Sequence, residues 1–362
     1  AAGAAAPGSA QIAAAPRGVW LDPGRVATSQ ELAYEIRDLA VGDLDGDGRV
    51  ELIAIDQVHL EIYRWTGRRL ELLFQEEEAP RRDYISVDAA DLDGDGRAEL
   101  LVNDAFGDRV RAAIYRQDGR RFVRHDLPRD HYFRILGAEI GAPTLVGQRR
   151  GEGEQPFVGQ VYRYEWRRGK ARRGEALWVP LRAAIFDVQL YRAADGKVEL
   201  AAFGPTGRLR LFRGREEVWS SGAEFDGTKL RVRERGAQAE RMVTEEDQPE
   251  TPIPGRILPL PGLAGPGGEP LLAFVVRRNE RAGLLTRWSF RRGAVLAVAA
   301  DTPAGRELWR TEAFEGYVAA FRVADLGPVA DGVGGRALVV AVDLQRGLFK
   351  AARSVVVVQG LR

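Results

Sequence analysis

The chain of 362 residues has no cysteine, one methionine and three histidines. Without thiols there is no disulfide staple, no thiolate-held metal and no cysteine nucleophile, so a bound metal would have to rest on oxygen or imidazole. The histidines His59, His125 and His131 are too few and too scattered for a metal centre, and the pair His125 and His131, with Asp126 and Asp130 beside them, reads as a solvated connection between structural units. No apolar run approaches the roughly 18 residues that cross a bilayer, so no transmembrane segment is expected. A surplus of one charge is missing too: 53 Lys and Arg stand against 52 Asp and Glu, a net charge of +1. No overall field therefore steers the chain toward nucleic acid or an anionic membrane. Lysine is scarce, standing only at Lys170, Lys197, Lys229 and Lys350, an arginine bias that GC-rich coding produces, while one methionine, no cysteine and few asparagines fit both that coding and heat adaptation. There is no G-x-S-x-G elbow, no phosphate-binding P-loop and no G-x-G-x-x-G opening a helix, which leaves acyl transfer and nucleotide chemistry without a foothold. The chain starts at Ala1 with no initiator methionine and no basic-then-apolar signal, as expected of a processed product or a piece of something longer. Residues Ala1 to Pro16, rich in Ala, Gly and Pro, are expected to form a mobile leader.

What the sequence does contain is a repeat. The run Leu39-Ala40-Val41-Gly42-Asp43-Leu44-Asp45-Gly46-Asp47-Gly48-Arg49-Val50-Glu51-Leu52 returns almost unchanged from Val87 to Leu100, an offset of 48 residues. Each copy leads into a β-favouring run, Ile53-Ala54-Ile55 or Leu101-Val102. A second strand follows in each and ends in Tyr-Arg, at Tyr63-Arg64 and Tyr115-Arg116, before a turn at Gly67 or Gly119. The unit is several short antiparallel strands joined by tight turns. Weaker echoes of the aromatic-basic strand lie at Tyr162-Arg163, Phe212-Arg213 and Arg287-Trp288-Ser289-Phe290. An aliphatic residue before tryptophan marks unit ends at Val19-Trp20, Leu177-Trp178, Val218-Trp219 and Leu308-Trp309.

These marks place units near 36–80, 84–128, 132–181, 183–223, 224–314 and 316–362, the fifth swollen by an acidic, proline-rich insertion around Thr244 to Pro254. Units apolar on two faces cannot bury both alone, and radial repetition is one of the few arrangements that does so. The expectation is an all-β propeller of about six four-stranded blades, a seventh within 224–255 remaining open, occupying residues 17–362. The segment Gly18-Val19-Trp20-Leu21 carries a terminal-strand mark yet precedes the first unit, so it is expected to close the last blade beside Ser354 to Val358.

In the acidic nonapeptide, alternate residues carry hard carboxylate oxygens while glycines allow the positive φ angles that wrap a loop around one ion. The expected ligands are Asp43, Asp45, Asp47, Glu51 and the carbonyl of Arg49, and in the second copy Asp91, Asp93, Asp95, Glu99 and the carbonyl of Arg97. An EF-hand opens with the same D-x-D-x-D-G pattern but needs a bidentate Glu at its twelfth position, where this chain has Ala54 and Val102.

These two loops resemble the FG-GAP or VCBS repeats of integrin-α-like propellers, whose loops run D-x-D-x-D-G-x-x-[D/E] between the first two strands of a blade, and the whole chain looks most like VCBS-repeat proteins exported by bacteria. The resemblance implies a propeller with structural Ca²⁺, extracytoplasmic, and implies no activity, because function on such a fold belongs to the individual site. Later units depart from the pattern: the fourth has Tyr191 and Ala193 at the first two acidic positions while keeping Asp195 and Glu199, the third has no acidic triplet, and the sixth retains Asp325 but spreads Asp331 across an insertion. Two Ca²⁺ sites are expected.

The Arg-dense run from Arg167 to Arg173 reads as a solvated hairpin turn, and Glu245-Glu246-Asp247 as an exposed insertion. The functional expectation is a non-catalytic module that binds a protein or glycan at the cell surface, periplasmic, surface-attached or secreted, with no nucleic acid and no catalytic residues. Two alternatives stand beside it. One is a self-associating subunit of a surface polymer or filament; the other is a polysaccharide-degrading enzyme, which a carboxylate-lined groove with shifted pKa values would favour.

Overall fold

The computed structural model describes residues 19–76, 82–106, 109–119, 121–151, 155–225, 227–233, 250–264, 269–283, 289–344 and 352–362. The leader, the acidic run Glu245-Glu246-Asp247 and the Arg287-Trp288 mark lie outside the described residues. Apart from one short 3-10 turn at Ala138–Ile140, the regular structure described is all strand.

Strand β1 (Leu21–Thr28) precedes the first meander, which is β2 (Asp38–Gly42), β3 (Glu51–Ile55), β4 (Leu60–Trp65) and β5 (Leu70–Gln75). The second is β6 (Arg82–Ala90), β7 (Glu99–Phe106), β8 (Arg109–Asp118) and β9 (Arg121–Asp126). The third is β10 (His131–Leu136), β11 (Thr144–Arg150), β12 (Phe157–Arg167) and β13 (Lys170–Leu177), and the fourth is β14 (Val188–Arg192), β15 (Val198–Phe203), β16 (Arg208–Arg213) and β17 (Glu216–Glu224). These four antiparallel four-stranded sheets are arranged as propeller blades. A small ribbon of β18 (Arg231–Arg233) and β19 (Glu250–Pro252) follows. The remaining strands are β20 (Leu258–Pro259), β21 (Ala273–Arg281), β22 (Phe290–Ala299), β23 (Arg306–Arg310), β24 (Phe314–Asp325), β25 (Arg336–Leu344) and β26 (Ser354–Leu361). Together with β1 they form one eight-stranded sheet, in which β22 pairs with both β23 and β24, and β1 lies antiparallel to β26 with Val26 opposite Gln359 and Thr28 opposite Val357.

The sequence repeat is also a repeat of register. Gly42 pairs with Glu51 across β2 and β3, and Ala90 pairs with Glu99 across β6 and β7, so each acidic loop closes the same hairpin in successive sheets. A strand alternates its side chains between two faces, and the interior strands are apolar on both. In β3, Leu52 and Ala54 join an apolar cluster shared with β25 and β26, through Val339, Ala341 and Val356, whereas Ile53 and Ile55 join one shared with the second sheet, through Val87, Leu100 and Val102. Further clusters join the second sheet to the third, the third to the fourth, the fourth to β21 and β22, and β21 and β22 to β24 and β25. Each sheet thus buries its two faces against its two neighbours.

The end-of-unit tryptophans act across these junctions. The Trp219 indole N–H donates to the carbonyl of Thr302 (2.7 Å), that of Trp309 donates to Val19 (2.9 Å), and Trp178 packs edge-on against Phe212. At the Arg-dense hairpin, Arg168 (φ 51°) and Gly169 (φ 72°) both take left-handed backbone, as a two-residue hairpin turn requires, and a Cβ on Gly169 would meet the His125 ring at 2.8 Å. His125 lies within β9, its ring edge-on to Trp166, and so is part of a sheet instead of a connection.

The first strands of the meanders face one another across a buried axis, where their outer N–H groups have no ladder partner and need acceptors from side chains. Asp38 accepts from the Val87 N–H (3.1 Å), Asp88 from Ile135 (3.2 Å) and Gln189 from Gly137 (2.8 Å). Three arginines complete this belt, Arg134 and Arg322 buried and Arg256 nearly so. Arg256 pairs with both Asp38 and Asp88, Arg134 with Asp88 (2.9 Å) and Arg322 with Asp38 (3.3 Å). Beside them only about 20 Å³ of cavity remains, room for a single water at most. The axis is a plug, which leaves binding to the two faces and the rim.

Candidate metal centre

The loop from Asp43 to Glu51 runs between β2 and β3 and is held open by its own backbone. Gly46 (φ 78°) and Gly48 (φ 82°) are left-handed and turn their N–H groups onto the Asp43 carboxylate at 2.7 and 2.9 Å. The N–H groups of Asp47 and Arg49 bind one oxygen each of Asp45 (3.0 Å) and Asp47 (2.8 Å), and that of Leu44 binds Glu51 (3.0 Å). The second loop repeats this at Asp91, which takes Gly94 (2.7 Å) and Gly96 (2.9 Å), at Asp95, which takes Arg97 (3.0 Å), and at Glu99, which takes Leu92 (2.8 Å).

Each loop gathers three carboxylates: Asp43, Asp45 and Glu51 in one, and Asp91, Asp93 and Glu99 in the other, each set with ligand atoms within 4.8 Å of one another. The donors are all hard oxygens, the set that suits calcium and not a thiophilic metal. Glu51 and Glu99 form the buried floor, and burial raises both carboxyls, Glu99 up to about 7. The two loops also touch: the Ala98 N–H donates to the Asp43 carbonyl at 2.6 Å, and a Cβ on Gly42 would meet Ala98 at 2.9 Å.

Asp47 and Asp95, expected as ligands, stand outside these triads and are drawn to an arginine that sequence reasoning passed over. Arg64, at the end of β4, reaches Asp45 (3.2 Å), Asp47 (3.0 Å) and Glu51 (2.9 Å), and Arg116 on β8 reaches Asp93 (3.4 Å), Asp95 and Glu99 (3.1 Å). The hydrogen bond to Glu51 raises the Arg64 pKa. The signal was present as the repeated Tyr-Arg strand end. The equivalent loops carry no such triad among the described residues: Asp195 pairs with Lys197 (3.2 Å), Asp331 pairs with Arg68 (3.1 Å), and Asp325 caps Gly327 (3.0 Å).

Two concave surfaces stand out, one beside an acidic loop and one at the far end of the sheets. Beside the second loop, a groove of about 770 Å³ is lined by Asp93, Asp95, Arg163, Tyr164, Trp166 and Arg167. At the end of the sheets opposite the acidic loops lies a pocket of about 550 Å³, lined by Tyr34, His59, Lys229, Tyr317 and Asp343 among others. There Asp343 accepts from Ser354 (2.7 Å) and faces Lys229 (3.6 Å), which lies over the Tyr317 ring. Burial pushes the Asp343 carboxyl up to about 7 against the pull of Lys229 and Ser354.

Residues 17–102, which hold both acidic loops, match the family model of the FG-GAP-like repeat. No curated protein matches the chain. Among solved structures, the chain is similar to BBS1N in complex with ARL6DN, soaked with lead, at 15% identity and a TM-score of 0.39, over 90% of this chain and 82% of that one. It is also similar to the soluble aldose sugar dehydrogenase of Escherichia coli in its apo form, at 12% identity and a TM-score of 0.41, over 92% and 98% of the two chains. Likeness at that level says nothing of what this chain binds or does.

Proposed function

We propose that the protein is a calcium-stabilised, extracytoplasmic β-propeller that acts as a non-catalytic binding or assembly module for a protein or glycan. The observation that carries this reading is the pair of acidic loops in the same register of adjacent sheets, each converging three carboxylates within 4.8 Å. Asp43, Asp45 and Glu51 would hold one Ca²⁺ and Asp91, Asp93 and Glu99 the other, with Asp47, Asp95 and the carbonyls of Arg49 and Arg97 as further oxygens. Calcium would supply the charge that lets clustered carboxylates sit together, so that metal binding and local folding are linked. In the same reading the eight-stranded sheet is two blades, β20 to β23 and β24 to β26 with β1 as closing strand, which makes six. A module that depends on calcium belongs where calcium is abundant, in the periplasm, at the cell surface or secreted. Exposed apolar side chains on outermost strands, Leu72 and Leu73 on β5 and Val123 on β9, suit an assembly partner or a neighbouring copy in a filament.

Calorimetry with 1 mM-scale calcium and with chelator tests the cages. At about 100-fold excess over the dissociation constant, each ion adds about 2.7 kcal/mol to stability, and the melting temperature should fall on chelation. Superimposable curves would remove the calcium assignment.

A second reading, a polysaccharide-degrading enzyme, is favoured by the opposite pocket, where a buried carboxyl raised to about 7 stands beside Lys229 and Tyr317. A carboxyl with that pKa could donate a proton near neutral pH. A depolymerisation assay on acidic and neutral polysaccharides decides it: turnover in the native protein that Asp343→Asn abolishes would establish the enzyme, and no turnover in either would remove it.

A further inference from the structure

In the first loop, backbone N–H groups occupy Asp45 Oδ1, Asp47 Oδ1 and Glu51 Oε2. The remaining oxygens, Asp45 Oδ2, Asp47 Oδ2 and Glu51 Oε1, all converge on one atom, Arg64 Nη2, at 3.2, 3.0 and 2.9 Å. This nitrogen takes oxygens of two members of the proposed cage, Asp45 and Glu51, together with Asp47, while both Asp43 oxygens stay on the Gly46 and Gly48 N–H groups. The second loop repeats the arrangement: Asp95 Oδ1 and Glu99 Oε2 are taken by backbone, while Asp93 Oδ2 and Asp95 Oδ2 turn to Arg116 Nη2 and Glu99 Oε1 to its Nε. Both arginines come from one register position, the residue after the tyrosine that pairs with Leu52 in one sheet and Leu100 in the other. The fourth sheet offers an internal comparison. There Leu200 pairs with Phe212, Tyr191 and Ala193 replace the first two acids, and the equivalent Arg213 is exposed.

We infer that Arg64 and Arg116 are built-in cations of the two cages, each neutralising its loop when calcium is absent and leaving when calcium enters. This rests on the calcium reading above. An ion about 2.4 Å from those oxygens would overlap the guanidinium and repel it, so metal and arginine cannot share the cage. Both arginines are partly open to solvent and can swing out. Two consequences follow. The calcium-free loop keeps its shape, and calcium is held more weakly and released more readily than the carboxylate count alone would give.

The test is isothermal titration of chelator-stripped protein with CaCl₂, for the native chain, Arg64→Gln, Arg116→Gln, the double variant and Arg64→Lys, with melting curves in chelator. Each Gln substitution should tighten its own site by roughly tenfold and lower the calcium-free melting temperature, while Arg64→Lys, which keeps a competing charge, should lie between. Should the calcium-free double variant not fold, stopped-flow release into a chromophoric chelator from the loaded protein gives the same information, and slower release than native is expected. Calcium binding of equal affinity in native and Gln variants overturns the inference and leaves the calcium reading intact. Absence of binding heat in the native protein with clear heat in the Gln variants supports the competition but overturns the calcium-stabilised reading of the native chain. Absence of heat in all of them, with melting curves that calcium does not move, ends both the calcium reading and the competition.

Discussion

Replacing Arg256 by methionine should cost the protein about 3–5 kcal/mol and lower its melting temperature by about 5 °C. Arg256 is nearly buried at the axis, where it pairs with Asp38 and Asp88 and donates to the Val87 carbonyl at 2.8 Å. Burial works against its charge, but the two carboxylates outweigh it and hold its pKa above the ordinary arginine value. The same balance seen from the other side keeps Asp38 ionised: burial raises its pKa, and Arg256 and Arg322 lower it further than burial lifts it. With Arg256 gone, Asp38 keeps Arg322 and Asp88 keeps Arg134, so charge stays balanced, but the guanidinium that bridges the two carboxylates is lost. The cost is that of removing one partner from a buried network, which leaves Asp38, Asp88 and the Val87 carbonyl without their shared donor. The triple change Asp38→Asn, Asp88→Asn, Arg256→Met should not recover the loss, because it leaves Arg134 and Arg322 buried without their carboxylates. Chemical denaturation of the single and triple variants checks both. A single variant within about 1 kcal/mol of the native protein would show that the axis is wetter or looser than its contacts indicate.

The axial network also shows where the sequence stops being readable. The two acidic loops were legible because a cage prescribes residue types at fixed spacing, and because strand register repeats with the loop: Gly42 opposite Glu51 is carried over to Ala90 opposite Glu99. Sheet order followed, since a strand such as Glu51–Ile55 is apolar on both faces and so lies between two neighbours. Arg64 and Arg116 were visible only as a periodic mark, because nothing in Tyr-Arg says that the side chain turns back across the hairpin into the preceding loop. The axis left no signal at all. Asp38 and Asp88 sit at different register positions of their strands, paired with Ile55 and Leu101, and Arg256 comes from a connection before β20, so no period links them. The pocket around Asp343 was hidden for the same reason, since it joins Tyr34, His59, Lys229 and Tyr317 from connections and strands far apart in the chain.

Asp343 gives the second large effect, and here pH is the variable. Its carboxyl is buried, hydrogen-bonded by Ser354 and faced by Lys229, while Glu35, also paired to Lys229 (3.4 Å), adds negative charge. His59 and its partner Asp56 line the same pocket. The folded-state pKa is about 7 against an ordinary 3.8. Below about pH 4 both folded and unfolded chains carry the proton, and the group adds no pH dependence. Between about pH 4 and 7 the unfolded chain has released its proton while the folded chain retains it, so rising pH favours unfolding through this window. Above pH 7 both are ionised and the penalty is constant, about 4 kcal/mol for a rise from 3.8 to about 7. Asp343→Asn keeps an acceptor for Ser354 and removes the ionisation. Its stability relative to the native protein should rise from pH 4.5 to pH 8 by about 3 kcal/mol, groups remote from Asp343 cancelling in the difference between the two chains. Melting or denaturant curves across the range measure it. A difference that stays flat with pH would mean that Asp343 is ionised throughout, held by Lys229, and would take away the proton donor on which the enzymatic reading depends.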